Sequence, residues 1–258
     1  MKVTQIRNAT MVIHVGDNVI LIDPMLAPKG AIPTLKYVTA NRRRNPLVDL
    51  PVGTDQILKK VTHCFITHCQ KGHFDHLDRA GTKWLRDNNI PVYCSEQDGD
   101  FLKKKGLDVH VLSTTTDNPF LGGKVSLVPC VHGVGVIGKF MAHGYGFYFQ
   151  LPNEPSLYAS GDTILTSDVR NFIQLNQPDW LVIPAGGARF DIGGDIIMGL
   201  EEAMEVAAIS EGQVIANHLE SLDHCPVTRR DLQARINLKK MGERFHIPVD
   251  GEAVSMEA

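Results

Sequence analysis

Three histidines and two aspartates stand close together in the segment 67–78, which reads Thr-His-Cys-Gln-Lys-Gly-His-Phe-Asp-His-Leu-Asp. The preceding residues, 61–67, are apolar and rich in β-branched side chains, which predicts a short buried strand that ends where the histidines begin. Imidazole nitrogen and carboxylate oxygen suit a divalent ion such as zinc, and a catalytic site of this kind keeps one coordination position for water. The alternative is a polar loop whose histidines only meet solvent. The grouping of His73, Asp75 and His76 directly after a strand favours the metal site.

Metal-competent side chains also follow three other predicted strands. They are His132 after the strand 124–130, Asp162 after the strand 156–159, and His218 after the strand 213–216. Polar residues at strand ends are common, but here every one is a type that binds metal and each strand is otherwise apolar. This coincidence predicts one convergent site built from several strand ends.

The elements that must position these residues follow a layered α/β pattern. Short strands at 1–5, 11–14 and 19–22 predict an antiparallel meander at the start of the chain. Helices are predicted at 81–88, 96–105, 167–175, 199–209 and 228–239, with further strands at 91–94, 109–112, 145–151 and 180–183. No linker rich in proline or serine separates the halves. We therefore predict one domain over residues 1–258, with two sheets inside and helices outside.

Composition limits the classes of partner. The 258 residues include 26 basic and 29 acidic side chains, for a net charge of -3, which gives no general attraction to nucleic acid or to an anionic membrane. No apolar run is long enough to span a bilayer, so we predict a cytoplasmic protein without a membrane partner. The expected partner is a small-molecule substrate, which could be an anion. The oligomeric state stays open, with a homo-oligomer as one possibility.

The five cysteines form no CxxC pair, so neither a disulfide framework nor a zinc ribbon is indicated. Three of them, Cys69, Cys130 and Cys225, lie within two residues of a candidate histidine. A thiolate ligand is one interpretation of this spacing. A small buried side chain in the core is the favoured one.

The set of strand ends resembles the metallo-β-lactamase fold hydrolases. Their histidine loop has the pattern H-x-H-x-D-H, followed by a distant histidine, a Gly-Asp pair after a strand and a last histidine. The matching stretches here are His73-x-Asp75-His76, residues 160–163 (Ser-Gly-Asp-Thr) and residues 216–218 (Ala-Asn-His). The resemblance extends along essentially the whole chain from residues 21–24 (Leu-Ile-Asp-Pro). Within the superfamily the chain is most similar to the ascorbate-6-phosphate lactonase-like branch.

This resemblance implies a four-layer αββα sandwich of two mixed sheets and a site for one or two divalent metal ions. Zinc is the first expectation, with manganese and iron as alternatives. By the resemblance, one ion is held by the first two loop histidines and His132. The other is held by Asp75, His76 and His218, and Asp162 bridges the two.

The first loop histidine departs from the family pattern. The family spacing places it at Lys71, whereas His68 lies three residues upstream. Either the loop bulges at Gly72 and His68 returns to its place, or the first site lacks a ligand and has a cation beside it. A lysine ammonium has no lone pair to donate. The second site is expected to keep its metal in both cases.

These residues predict a metal-dependent hydrolase that directs a metal-bound hydroxide at a small ester, lactone or phosphoester. A bound metal lowers the pKa of water from about 16 to about 7. The resemblance suggests that Asp75 positions the hydroxide or accepts its proton. His224 is a candidate to protonate a leaving group or to bind substrate, with a turn-stabilising role as the alternative.

Two rival functions use the same fold. One is a catalytically degenerate, metal-poor binding or scaffold protein. The other is a nuclease, against which the mild acidity and the lack of an extended basic stripe argue.

The sequence leaves two interpretations open for each of three further features. Asp23, at a strand end, either forms a turn or supports the site. The run 42–44 of three arginines either meets an anionic group or forms a solvated face. The loop 184–189 either faces the substrate through its amides or Arg189, or is a tight turn.

Overall fold

A computed structural model describes residues 1–38, 42–70, 72–135, 138, 141, 144–191 and 193–256. The strands are β1 (Lys2–Arg7), β2 (Thr10–Val15), β3 (Asn18–Ile22), β4 (His63–Ile66), β5 (Val92–Ser95), β6 (Val109–Leu112), β7 (Asn118–Phe120), β8 (Gly123–Cys130), β9 (Gly144–Gln150), β10 (Leu157–Ala159), β11 (Trp180–Pro184), β12 (Gln213–Asn217), β13 (Phe245–His246) and β14 (Ala253–Ser255). The helices are α1 (Thr54–Leu58), α2 (Arg79–Asp87), α3 (Glu96–Lys103), α4 (Ser167–Asn176), α5 (Leu200–Ile209) and α6 (Arg229–Lys239).

The strands form two seven-stranded mixed sheets with similar internal order. The first sheet runs β14-β1-β2-β3-β4-β5-β6, and the second runs β13-β12-β11-β10-β9-β8-β7. In the first sheet β14 to β3 pair antiparallel and β3 to β6 pair parallel. In the second sheet β7 to β10 pair antiparallel and β10 to β13 pair parallel. The predicted N-terminal meander and the two mixed sheets are confirmed.

The helices cover the outer face of each sheet. Leu58, Leu85 and Leu102, from α1 to α3, share one buried cluster with the outward side chains of the first sheet. Side chains of α4 to α6, such as Ile173 and Ile236, share another with the second sheet. Because an amphipathic helix must bury its apolar face against another element, this arrangement gives the predicted αββα order of layers.

Aromatic side chains fill the space between the two sheets. Phe65 of β4 lies edge-on to Phe147 and Phe149 of β9, with ring centroids 5.1 and 5.2 Å apart. All three are at most 1% exposed. Both sheets therefore line one core, which supports the prediction of a single domain over 1–258, although it stays a prediction.

The elements that the sequence did not predict are all short. α1, β7, β13 and β14 span between two and five residues each. Pieces of this length show no periodicity, and they are ordered by the neighbour they pair with or pack on. Residues 25–51 contain one isolated bridge, Ile32 to Asn45, and no helix or strand among the described residues.

Helix length bears on the predicted absence of a membrane partner. Among the described residues, no helix combines the length and the apolar character needed to cross a bilayer. The cytoplasmic location and the absence of a nucleic-acid partner stay predictions. The oligomeric state stays open.

Candidate metal centre

The candidate ligands follow the carboxyl ends of strands in both sheets. His68 lies two residues after β4, His132 two residues after β8, Asp162 three residues after β10, and His218 directly after β12. Parallel strands present their carboxyl ends at one edge of a sheet, which is where open α/β sheets bind ligands. The fold therefore brings residues that are 150 positions apart in sequence to one end of the sandwich.

Seven buried side chains form two adjacent groups. The three-histidine group consists of His68, His73 and His132, and the mixed group consists of Asp75, His76, Asp162 and His218. Within each group the candidate ligand atoms lie within 4.8 Å of one another. All seven residues are at most 7% exposed. The structure thus brings together every ligand that the sequence nominated.

Asp162 lies between the two groups. Its Oδ1 is 2.7 Å from Nε2 of His218, and its Oδ2 is 3.1 Å from Nε2 of His76. The same Oδ2 is 3.5 Å from Nε2 of His132, in the three-histidine group. One carboxylate is therefore within reach of both groups, as a bridging ligand requires.

The histidine loop folds back on itself so that His68 joins the three-histidine group. Gly72 has φ +87°, in the left-handed region that glycine adopts without strain. The His73 amide donates to the carbonyl of Gln70 at 3.2 Å, and the rings of His68 and His73 lie 4.5 Å apart between centroids. These positions match the first alternative, a bulge that returns His68 to its place. Lys71 lies outside the described residues.

The end of the loop is fixed by a helix cap. Asp78 precedes α2, and its Oδ1 accepts a hydrogen bond of 2.6 Å from the amide of Gly81. Its Oδ2 accepts another of 2.6 Å from the amide of Ala27. A cap of this type satisfies an otherwise unpaired amide of the first helical turn. The loop is therefore held to α2 on one side and to the segment after β3 on the other.

Each histidine of the centre has its Nδ1 placed against an oxygen atom. The partners are Thr67 Oγ1 for His68 (3.1 Å), the Gln70 carbonyl for His73 (2.6 Å), Asp23 Oδ2 for His76 (2.8 Å), the Ile196 carbonyl for His132 (2.7 Å) and Asn217 Oδ1 for His218 (2.9 Å). Oxygens of this kind hold the proton on Nδ1 and leave the Nε2 lone pair for a metal.

Asp23 supports the centre, which decides between its two interpretations. Its Oδ1 accepts from the Thr67 amide at 2.8 Å, and its Oδ2 accepts from the Thr67 hydroxyl at 2.6 Å. Since the single hydroxyl hydrogen points at Asp23, the Thr67 oxygen is free to accept from His68. One buried carboxylate thus orients His76 directly and His68 through Thr67.

Several ligand atoms lack a hydrogen-bond partner despite their burial, namely Nε2 of His68, His76 and His218 and Oδ1 of Asp162. The His218 and Asp162 atoms lie 2.7 Å apart, but both are acceptors when the Asn217 oxygen holds the proton on Nδ1 of His218. Buried polar atoms are almost always paired, because leaving one unpaired costs about 1–3 kcal/mol. Imidazole and carboxylate donors converging in this way fit divalent cations, so the residues present match the metal that the resemblance implies.

The electrostatics of the mixed group favour a positive charge. Burial lowers the pKa of His76, but Asp162, Asp23 and Asp75 outweigh it and raise the pKa well above the usual range. Burial raises the pKa of Asp162, but His218 and His76 outweigh it and lower the pKa well below the usual range. A buried site that stabilises a cation among carboxylates is suited to a metal ion.

The three-histidine group favours neutral ligands. Burial, together with the nearby His76 and His73, holds the pKa of His68 well below its usual range. Burial lowers the pKa of His132 to about 4. Both imidazoles are therefore neutral near pH 7, which is the form that binds a metal.

A cavity of about 180 Å³ opens beside the two groups. His73, Asp75, His132 and His224 give it a polar side. Its remaining side chains are Leu35, Tyr37, Phe74, Met141, Phe190 and Ile196. Among the described residues that line this cavity there is no lysine or arginine, so its walls are mainly apolar with polar groups on one side.

His224 lies in this cavity with one nitrogen unpaired. It is 5% exposed, and its Nδ1 has no hydrogen-bond partner. Its ring is stacked on Phe190, with centroids 6.1 Å apart. Burial lowers the pKa of His224, so the ring is neutral near pH 7. This position gives no evidence for a turn-stabilising side chain and favours contact with a substrate.

The loop 184–189 packs tightly against the last histidine. A Cβ on Gly186 would lie 2.0 Å from the carbonyl oxygen of His218, so only glycine permits this approach. The Arg189 amide donates to the His224 carbonyl at 3.0 Å, while the Arg189 side chain is exposed. The loop is a close turn that fixes the backbone of His218 and His224.

None of the cysteines belongs to either ligand group, and Arg44 of the basic run is bound to backbone carbonyls. Arg44 donates to the carbonyls of Gly30 and Ala31, at 2.7 and 3.0 Å. Burial raises the pKa of Cys69, Cys130 and Cys225, so these thiols are neutral. A neutral thiol is a poor metal ligand, which agrees with the core interpretation.

Comparisons with known proteins agree with this geometry. Residues 2–217 match the family model described as the beta-lactamase superfamily domain. The chain is 34% identical to the UPF0173 protein YddR of Bacillus subtilis (strain 168), over 98% of this chain and 99% of that one. It is 28% identical to a UPF0173 metal-dependent hydrolase of Koribacter versatilis (strain Ellin345), over 72% of each chain.

A solved structure matches over the whole length. The crystal structure of isothiocyanate hydrolase from Delia radicum gut bacteria superposes with a TM-score of 0.90 and 30% identity, covering 100% of both chains. The finer resemblance to the lactonase-like branch stays a prediction. The family model, the full-length relative and the shared fold show that this chain belongs to the beta-lactamase superfamily and is a metal-dependent hydrolase.

Proposed function

We propose that the protein hydrolyses a small electrophilic substrate at the centre formed by the three-histidine group and the mixed group. The observation that carries this proposal is the pair of buried donor sets, with unpaired ligand atoms, beside a cavity of about 180 Å³. The proposed ligands are His68, His73, Asp75, His76, His132, Asp162 and His218.

The proposed cofactor is two divalent ions, one for each group, with zinc expected first and manganese or iron as alternatives. When bound, such ions act as Lewis acids and lower the pKa of water to about 7. The chain itself holds five imidazoles in one orientation through their Nδ1 partners. It also places Asp162 between the two groups.

Asp75 is proposed as the residue that orients the attacking water or accepts its proton. It belongs to the mixed group and also lines the cavity. Burial raises the pKa of Asp75, but His76 outweighs this effect and the pKa falls below the usual range. The carboxylate is therefore ionised near pH 7 and can accept a hydrogen bond from water or take up its proton.

His224 is proposed to contact the substrate. Its unpaired Nδ1 and its neutral ring suit a hydrogen bond to a carbonyl oxygen or to a leaving group.

The side chains that line the cavity favour some candidate substrates over others. Walls without a lysine or arginine, among the described residues, favour an uncharged ester or lactone over a phosphoester, which usually meets cationic side chains. An isothiocyanate is the second candidate. It is uncharged, its central carbon is electrophilic, and the matching solved structure is named for this activity.

The test combines metal analysis with a substrate panel. The protein, purified without chelators, is analysed for transition metals and incubated with phenyl acetate, γ-butyrolactone, benzyl isothiocyanate and bis(4-nitrophenyl) phosphate. We expect at least about one metal ion per chain and hydrolysis of an uncharged substrate. His76→Ala and Asp162→Ala should each lower the rate by about 100-fold or more, as expected when a ligand of a catalytic metal is removed.

His110→Ala is the matched control, because this half-exposed histidine of β6 lies outside both groups. Folded His76→Ala and Asp162→Ala proteins that keep both metal and rate would reject the proposal. A wild-type protein with less than about half an equivalent of metal and no turnover would instead favour the scaffold alternative, because such a centre has no activated water.

A further inference from the structure

A short segment without regular structure forms one wall of the cavity. This segment, residues 34–38, is called the strap here. Leu35 and Tyr37 of the strap both line the cavity. Tyr37 is nevertheless 65% exposed, so the strap lies between the cavity and solvent.

Two carboxylates hold the strap in place. The amides of Leu35 and Lys36 donate to Asp223, at 3.1 and 3.4 Å, and the Thr34 hydroxyl also donates to it. The amides of Tyr37 and Val38 both donate to Oδ2 of Asp191, at 2.6 and 2.8 Å. Among the described residues, no backbone-to-backbone hydrogen bond ties residues 34–38 to the rest of the chain. The position of the strap therefore depends on side-chain acceptors.

The two carboxylates are chain neighbours of the ring pair in the cavity. Asp191 follows Phe190, and Asp223 precedes His224. Phe190 and His224 are stacked on each other, with ring centroids 6.1 Å apart, and both line the cavity. The same two loops thus carry the ring pair and set the distance from it to Leu35 and Tyr37.

The volume of the cavity sets the size of group that fits. An apolar cavity of about 150 Å³ accommodates one benzene ring. The cavity here, of about 180 Å³, is therefore filled by a single ring or a short alkyl chain beside the reacting group. A fused two-ring substituent exceeds this volume, so it fits only if a wall of the cavity moves outward.

We propose that Leu35 and Tyr37 form the wall that selects substrates by the size of an apolar substituent, and that Asp191 is the positioning residue for this wall. The proposal rests on the hydrolase function proposed above and adds its substrate class, namely small electrophiles with a substituent of about one ring. Asp191 acts through the strap, because its Oδ2 accepts hydrogen bonds from the strap amides of Tyr37 and Val38.

The test measures binding of thiols to the Co²⁺-loaded protein, so it does not depend on turnover. Ethanethiol, phenylmethanethiol and 2-naphthylmethanethiol are titrated, and the thiolate-to-Co²⁺ absorption band reports binding at the metal. We expect wild-type protein to bind the one-ring thiol about tenfold more tightly than the two-ring thiol, since overpacking a rigid site is unfavourable.

The variants separate the wall from its support. Leu35→Ala and Asp191→Ala should each bring this ratio to within about twofold of unity, through tighter binding of the two-ring thiol relative to ethanethiol, because the wall that excludes the second ring has moved. Asp191→Asn keeps one acceptor oxygen, so its ratio of one-ring to two-ring thiol affinity should lie between those of wild type and Asp191→Ala. Asp17→Ala, at an exposed turn, is the matched control and should keep the wild-type ratio.

The outcomes distinguish this proposal from the one it rests on. A clear thiolate band with a size ratio unchanged in both Leu35→Ala and Asp191→Ala overturns the wall and leaves the hydrolase proposal standing. A wild-type protein that takes up no Co²⁺ overturns both. If ethanethiol affinity falls as much as that of the larger thiols in Asp191→Ala, the residue supports the whole site and the selective role is rejected.

Discussion

Asp23 is the residue on which the orientation of the centre depends most. It follows β3 with φ +48°, a left-handed conformation that side chains other than glycine adopt at a cost. This conformation is compatible with its two carboxylate oxygens meeting the Thr67 amide, the Thr67 hydroxyl and Nδ1 of His76. A conformational cost at a strand end is thus offset by charge-assisted hydrogen bonds that fix two candidate ligands.

Replacing Asp23 should therefore weaken metal binding without removing a ligand. Asp23→Ala removes the carboxylate acceptor of His76 Nδ1 and leaves only the Thr67 hydroxyl at 3.2 Å, so we expect the affinity of the mixed group for Zn²⁺ to fall by about 10–100-fold. Competition with a chromophoric chelator measures this affinity. Asp17→Ala, at an exposed position, serves as the control. An unchanged Zn²⁺ affinity in a folded Asp23→Ala protein would contradict the supporting role.

The residue types that bind metal could be identified from the sequence, but several of their partners could not. Imidazoles and carboxylates at strand ends nominated the seven ligands, and the structure brings all of them together. The role of Thr67 had a weak signal, since a hydroxyl precedes His68. The carbonyls of Gln70 and Ile196 had none, because every residue has a carbonyl and only the folded chain shows where it points.

Among the elements, those with a clear period were predictable and those ordered by their neighbours were not. The apolar spacing of α5 and the alternation of β8 are visible in the sequence. β13 has two residues and is ordered by pairing with β12. The strap has no period at all, and its position depends on Asp191 and Asp223, which are more than 150 residues away in sequence.

The anchoring of the strap should depend on pH through Asp223. Burial raises the pKa of Asp223, but hydrogen bonds from Thr34 and Asn45 outweigh it and lower the pKa below the usual range. A carboxyl with a lowered folded-state pKa adds stability above its unfolded pKa of about 3.9, and this stability is lost as the pH falls through the folded value.

Asp223→Asn should lower the free energy of unfolding by about 2 kcal/mol at pH 7, the scale of hydrogen bonds to a charged group. The difference between wild type and variant should begin to shrink near pH 4 and fall further as the pH drops through the lowered folded-state pKa of Asp223, where the wild-type carboxyl becomes protonated. Urea unfolding of the two proteins at matched pH values, with chelator present, gives this difference. A difference that stays constant from pH 7 to pH 3 would show that the charge of Asp223 does not matter.

At the scale of the whole molecule, one core joins the two sheets. Phe65 of the first sheet contacts Phe147 and Phe149 of the second, and Trp180 and Ile215 belong to the same buried cluster. Neither sheet can lose this interface without exposing the inner face of the other. The two halves are therefore expected to unfold together.

The two tryptophans make this expectation testable. Trp84 lies in α2 beside the first sheet, and Trp180 lies in β11 of the second. Trp84→Phe leaves Trp180 as the fluorescent reporter, and Trp180→Phe leaves Trp84. We expect the two reporters to give the same urea midpoint once the change in stability caused by each substitution is subtracted.

Phe65→Ala should lower the free energy of unfolding by about 3–5 kcal/mol at both reporters, as expected for an aromatic ring deleted from a packed core. Val111→Ala, at a half-exposed position on β6, should change it little. Two separate transitions, with only the Trp84 signal shifted by Phe65→Ala, would show that the sheets unfold independently.

The division of ligands along the chain has a consequence for how the enzyme acquires its metal during synthesis. Four candidate ligands lie at positions 68–76 and three at positions 132–218, and each group takes residues from both stretches. While the ribosome has made only the strands β1 to β6, an ion finds two ligands of either group at most. Domains form as the chain emerges from its N-terminus, so the mixed group is complete only after His218 has been made and β12 has paired. We therefore expect metal loading to be a late event, after most of the chain has been translated.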